Sequence, residues 1–190
     1  MKNGHTIIRG RGLARLPRIL AIDPGTRYMG LAVFVGNELI RAEIKRVREA
    51  GMTPREARRK GEEILHRWIR RYEPTILAVE APYFAQTKSS PGLRRVMETI
   101  TRLAVHHSIP VRTYRPPTIR QRLCPDTRPT RLAVARTIAD RFPWLRPYYE
   151  REVKKSWWRR HYWLQLFDAI AVGLACLETH PNKKTAQRAA

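Results

Sequence analysis

An acid closes the first apolar run of this chain: Ile19-Leu-Ala-Ile-Asp23, followed by Pro24-Gly25 and a second apolar run from Gly30 to Val35. Four consecutive apolar residues before a Pro-Gly turn signal fix a short buried strand over Arg18 to Asp23. A carboxylate at such a place is costly unless a cation or a hydrogen-bond donor meets it. The pattern returns at Ile76-Leu-Ala-Val-Glu80, and a third acid, Asp168, sits within the apolar run Trp163-Leu-Gln-Leu-Phe-Asp-Ala-Ile-Ala-Val. Each acid alone has a structural explanation. Asp23 suits the start of a turn, while Glu80 and Asp168 suit ion pairs with arginine. Together they point to a cation site.

The order of elements limits the architecture. Strands are read at Arg18 to Asp23, Gly30 to Val35 and Glu38 to Val47, with Gly36-Asn37 as a hairpin turn. Thr53-Pro-Arg-Glu56 opens a helix, with Thr53 as N-cap, Pro54 at the first helical position and Glu56 closing a capping box. That helix runs to Tyr72, with Ile64, Leu65, Trp68 and Ile69 inward. A strand at Thr75 to Glu80, a helix at Gly92 to His107 and a strand at Pro110 to Tyr114 follow. Helices at Pro129 to Arg141 and Lys155 to Glu178 end the body, with an irregular stretch from Phe142 to Tyr149 between them. This is an α/β layout with a mixed five-stranded sheet flanked by helices. A right-handed crossover through the first long helix returns the fourth strand beside the first. Asp23 and Glu80 then end neighbouring parallel strands at one sheet edge, where open α/β sheets place their sites. The expected organisation is a basic arm over residues 1–17, one domain over 18–180 and a polar tail over 181–190.

Charge narrows the partner. Lys and Arg total 38 against 16 Asp and Glu, a net charge of +22. Of the 38, 30 are Arg, whose planar fork matches phosphate better than a Lys point charge does. An excess of this size repels itself in a compact fold, so a polyanion is the natural partner. Carboxylates clustered against nucleic acid call for hard cations, Mg²⁺ or Mn²⁺, and two such ions can share one nuclease site. The two cysteines form no CxxC pair, which fits a reducing compartment. The six histidines show no ligand spacing, and His106-His107 reads as a surface or capping pair. No apolar stretch is long enough for a membrane span. The expected location is the cytoplasm, at the nucleoid, with an organellar or viral origin left open by the acid-free, Arg-rich start.

With Gly30, Ala-Val-Glu80 and Phe167-Asp-Ala-Ile-Ala-Val, the Ile-Asp23-Pro-Gly-Thr strand resembles the RuvC-type Holliday junction resolvases of the RNase H-like superfamily. The resemblance runs from about Ile19 to Leu177. It implies an RNase H-like fold and identifies Asp23, Glu80 and Asp168 with the family's metal-binding acids. The family's fourth ligand, Asp or His one turn before the last acid, falls on Gln165, an uncharged departure. The aromatic that opens the junction by stacking on a base falls on Tyr83, beside Phe84. Arg131 matches the family's Lys near the scissile phosphate. Arg94 and Arg95, at the start of a helix, suit phosphate contacts. The resemblance further implies a homodimer that nicks a four-way DNA junction at two symmetric points, leaving 5′-phosphate and 3′-hydroxyl ends. The apolar side of the second helix (Leu93, Val96, Met97, Ile100) is the candidate dimer surface, or else part of the core. Two other readings stand beside it. One is a YqgF-like nuclease acting on RNA; the other is a non-catalytic nucleic-acid-binding protein on the same scaffold, which Gln165 favours.

Overall fold

The computed structural model describes residues 16–81, 91–125, 129–155 and 162–179. Five strands form one sheet: β1 (Arg18–Asp23), β2 (Tyr28–Val35), β3 (Glu38–Arg46), β4 (Ile76–Glu80) and β5 (Val111–Tyr114), in the order β3-β2-β1-β4-β5. β1, β2 and β3 are antiparallel neighbours, whereas β4 and β5 run parallel to β1. The crossover places β4 beside β1 as expected.

Two helical layers sandwich the sheet, one on each face. Helices α1 (Pro54–Tyr72) and α2 (Pro91–His106) cover the face made by Leu20, Ile22, Leu31, Leu77 and Val79. Helices α3 (Pro116–Leu123), α4 (Arg131–Arg141) and α6 (Leu164–Thr179) cover the opposite face, made by Ile19, Ala21, Ala32, Phe34 and Ala78. The period-2 alternation along β1 sends consecutive residues to opposite cores, which is why the strand reads as continuously apolar. Helix α5 (Arg146–Val153) follows a 3-10 turn at Pro143–Leu145.

The α1 start is the capping box read from the sequence: the Glu56 N–H donates to Thr53 Oγ1 at 3.3 Å, and the Thr53 N–H donates to Glu56 Oε2 at 2.8 Å. In β3 the strict alternation fails. Val33 pairs with Arg41 and Phe34 with Leu39, so Ile40 is a bulge residue, half exposed. The bulge resets the phase, and Leu39, Ala42 and Ile44 all pack against the α6 core.

Three elements differ from the sequence reading, two of them for the same reason. Pro116-Pro117, just past the strand expected at Pro110 to Tyr114, where no helix was read, forms the first turn of α3. Pro143 and Pro147, in a stretch read as irregular, likewise open the 3-10 turn and α5. At a helix start the missing proline N–H would be unpaired anyway, so these prolines begin helices rather than break them. The last helix is shorter than the expected Lys155 to Glu178. α5 ends at Val153, and α6 begins at Leu164, where continuous burial starts. Among the proposed dimer residues, Ile100 is fully buried and Val96 and Met97 pack on the core. That side of α2 is mostly core. The basic arm and the polar tail lie outside the described residues, apart from Leu16 and Pro17; the Pro17 carbonyl already accepts from the Gly36 N–H.

Candidate active site

Asp23 and Glu80 stand one position beyond the paired residues Ile22 and Val79, at the ends of adjacent parallel strands. Both keep part of their surface in solvent, while Asp168, in the second turn of α6, is buried. Two glycines let α6 approach so closely. A Cβ on Gly30 would sit 2.0 Å from the Gln165 carbonyl oxygen, and one on Gly173 would strike the Phe34 ring at 2.2 Å. With hydrogen at both places, the first turn of α6 lies directly on β2 and carries Asp168 to the edge where Asp23 and Glu80 end.

The three acids feel one another. Burial pushes the Asp23 carboxyl well above its usual range, and Asp168 and Glu80 push it further. Glu80 is raised to about 7, by burial first and then by Asp168. Asp168 is raised by burial against the lowering pull of Arg131 and Arg120. Arg131, at the first position of α4, is ion-paired with Asp168 Oδ2. Its place follows from packing: Val134 and Ile138, on the same face of α4, are buried in the core shared with α6. A cavity of about 10 Å³, water-sized, is lined by Glu80, Arg120, Arg131 and Asp168.

The donor chemistry fits a hard divalent cation. Three carboxylates that hold protons abnormally tightly are waiting for positive charge. Gln165, one turn before Asp168, has its Oε1 buried with no hydrogen-bond partner, an amide oxygen free to act as a neutral ligand. The carboxylates are not drawn to the spacing of a loaded site. Among the described residues the only group of three or more His, Cys, Asp or Glu that brings one donor atom from each within 4.8 Å of the others is His66, His106 and His107.

The other expected residues are placed unevenly. Arg94 and Arg95 are exposed on the first turn of α2, and Arg95 lines a surface cavity of about 330 Å³ with Thr26, Arg48 and Arg58. Thr26 lies in the loop after Asp23, so these cations share the sheet edge with the acids. Tyr83 and Phe84 lie outside the described residues. Arg120, which faces Glu80 and Asp168, was missed in the sequence because Pro116-Pro117 hid the helix that presents it.

Known proteins share the family and the fold. The family model described as "Crossover junction endodeoxyribonuclease RuvC" matches residues 19–139, well over half of the chain. The chain belongs to the RuvC family. Thermus thermophilus RuvC in complex with a Holliday junction substrate is similar in structure, with a TM-score of 0.65 and 19% identity, over 86% of this chain and 96% of that one. A second Thermus thermophilus RuvC structure gives a TM-score of 0.63 at 18% identity, over 85% of this chain and 95% of the other. The yeast mitochondrial Holliday junction resolvase gives 0.61 at 12% identity, over 87% and 82%. Among curated proteins no sequence relative is found. At these identities the structural matches establish the RNase H-like fold that RuvC proteins share. As a member of this family the chain is a crossover junction endodeoxyribonuclease, a class dependent on divalent metal and acting on branched DNA. No helix among the described residues is long and apolar enough to cross a membrane.

Proposed function

We propose that this RuvC-family chain resolves four-way DNA junctions with Mg²⁺ or Mn²⁺, two ions per site, cutting symmetrically as a homodimer. The observation that carries the metal reading is the meeting of Asp23, Glu80 and Asp168 at one sheet edge, beside the unpartnered Gln165 Oε1. Asp23, Glu80 and Asp168 would hold the ions, with Gln165 as a neutral fourth ligand. Bound there, the ions supply charge neutralisation at the scissile phosphate and activation of the attacking water.

The chain's own residues do the rest. The water oxygen forms the new P–O bond, the P–O3′ bond breaks, and the ends left are 5′-phosphate and 3′-hydroxyl. Arg131 is the cation inside the cluster, paired with Asp168; with Asp168 holding a metal ion, its guanidinium would be free to grip a phosphate oxygen. Arg120 reinforces the same positive field. Arg48, Arg58 and Arg95, on the other helical layer of the same edge, are placed for the backbone of a departing DNA arm. Tyr83, beside Phe84, takes the role of the base-stacking wedge, and Arg94 joins the phosphate contacts. The arm over 1–17 and the tail over 181–190 flank a single nuclease domain, and action at the nucleoid or its organellar counterpart follows from the substrate.

Incubation of labelled four-way junction, linear duplex and structured RNA with Mg²⁺ or Mn²⁺ tests this reading. Paired nicks in the junction are expected, with Asp23→Asn and Asp168→Asn binding it without cutting. Equal cutting of linear duplex, or activity surviving Asp23→Asn, would overturn it.

A further inference from the structure

The second cluster lies at the opposite pole of the molecule. Helices α1 and α2 each precede a parallel strand on the same sheet face, so they run side by side in the same direction. Their C-terminal ends therefore lie at the edge where β4 and β5 begin, away from Asp23 and Glu80. Glu62 of α1 and Arg102 of α2 form an ion pair at 2.8 Å across the helices. One turn further on each helix come His66 and His106, and His107 follows at the end of α2. The ring of His66 stands 6.4 Å from that of His106 and 5.0 Å from that of His107, while those of His106 and His107 are 4.9 Å apart. The sequence reading of His106-His107 as a bare surface pair overlooked His66, because forty residues separate it from its partners and only the parallel packing joins them.

We propose that His66, His106 and His107 form a transition-metal site of the zinc type that ties the end of α2 to α1. One donor atom from each residue already lies within 4.8 Å of the other two. Tetrahedral zinc at bonds of about 2.0–2.1 Å wants donors about 3.4 Å apart, a distance that small side-chain rotations can close. His107 Nε2 is buried and has no hydrogen-bond partner, so it offers a free acceptor. The last carbonyls of α2 point to the same end, and the negative pole of the helix favours a cation. Arg67, Arg70 and Arg71 on α1 oppose it, and the nearby Glu62 and Glu63 are already ion-paired with Arg102 and Arg59. Imidazole donors without a carboxylate select a borderline ion such as Zn²⁺ over Mg²⁺. The two metal chemistries of the protein thus occupy opposite poles. His106 is exposed, which leaves an entry path and an open fourth position for water.

The test uses the full chain carrying Asp23→Asn and Asp168→Asn, which weakens cation binding at the acid cluster, where Glu80 and Gln165 remain. Equilibrium dialysis against low-micromolar zinc chloride in excess Mg²⁺, read by atomic emission, is paired with thermal unfolding. One zinc per chain and a raised Tm are expected. In His106→Ala, an exposed position whose loss does not disturb the core, affinity should fall by about tenfold or more. His106→Cys should restore it, and His66→Gln should reproduce the loss. No retained zinc, or zinc retained equally by His106→Ala and His66→Gln, would overturn the site.

Discussion

Replacing Glu80 by Gln should make the metal-free protein more stable, increasingly so as the pH rises from 4.5 to above 7. The Glu80 carboxyl is raised from 4.5 to about 7 by burial and then by Asp168. Below pH 4.5 both folded and unfolded chains carry the proton, and the group does not influence folding. Between the two values the unfolded chain ionises while the folded one keeps its proton. Folding is then increasingly opposed, up to a plateau above pH 7. Two and a half units at 1.36 kcal/mol each give a ceiling of about 3 kcal/mol at pH 8.5, against about 1 kcal/mol at pH 5. The ceiling overstates the effect, because Glu80 keeps part of its surface in water. For a chain of this size it corresponds to a rise in Tm of about 6–12 °C at pH 8.5. Urea unfolding in EDTA at the two pH values measures the difference directly. Adding Mg²⁺ at pH 8.5 should narrow the gap, since the wild-type carboxylate then gains its cation and the amide does not. A stabilisation that is equal at both pH values, or a less stable Gln variant at pH 8.5, would refute the claim that the acids are held against their own charge.

Gly30→Ala places a methyl group where the Gln165 carbonyl now sits. It should cost about 2–4 kcal/mol in urea unfolding, and junction cleavage should fall further than stability alone explains because Asp168 moves with α6. Arg131→Ala removes the cation paired with Asp168. Mg²⁺ affinity measured by titration calorimetry should rise, while single-turnover cleavage should drop about tenfold to a hundredfold through loss of the phosphate contact. Gln165→Asp adds a charged ligand, so the Mg²⁺ concentration for half-maximal cleavage should fall; a rise would exclude Gln165 from the site.

The sheet was legible because its signals are local. Apolar runs ending in Asp23 and Glu80, the Gly36-Asn37 turn and the Thr53-Glu56 capping box each specify their element within a few residues. The bulge at Ile40 was not legible, since alternation alone does not reveal where the register slips. Helices α3 and α5 were hidden by prolines, whose meaning reverses between a helix start and a helix interior. The acid trio was read from strand ends and from the one charged residue in the apolar run from Leu164 to Leu177. Arg120 and His66 escaped because each joins its cluster only through packing between separate elements. An amphipathic stripe such as that of α2 shows that a face is buried, not by what, and there Val96, Met97 and Ile100 pack on the core of the chain itself.

The uncharged Gln165 takes its meaning from Arg131. Burial already holds the protons of Asp23, Glu80 and Asp168 above the usual carboxylate range, and repulsion from Asp168 adds to it at Asp23 and Glu80. A fourth carboxylate one turn from Asp168 would raise that repulsion in the metal-free protein, and the single guanidinium paired with Asp168 would have four charges to offset. The amide avoids that cost while keeping an oxygen at the position. The same substitution removes a unit of negative charge from whatever pulls a second ion into the site. A chain with 38 basic residues arrives at DNA mainly through phosphate contacts, and the scissile phosphate itself brings oxygen ligands and negative charge with it. The second ion would then be completed by the substrate rather than by the protein alone, which ties full loading of the site to engagement of the junction.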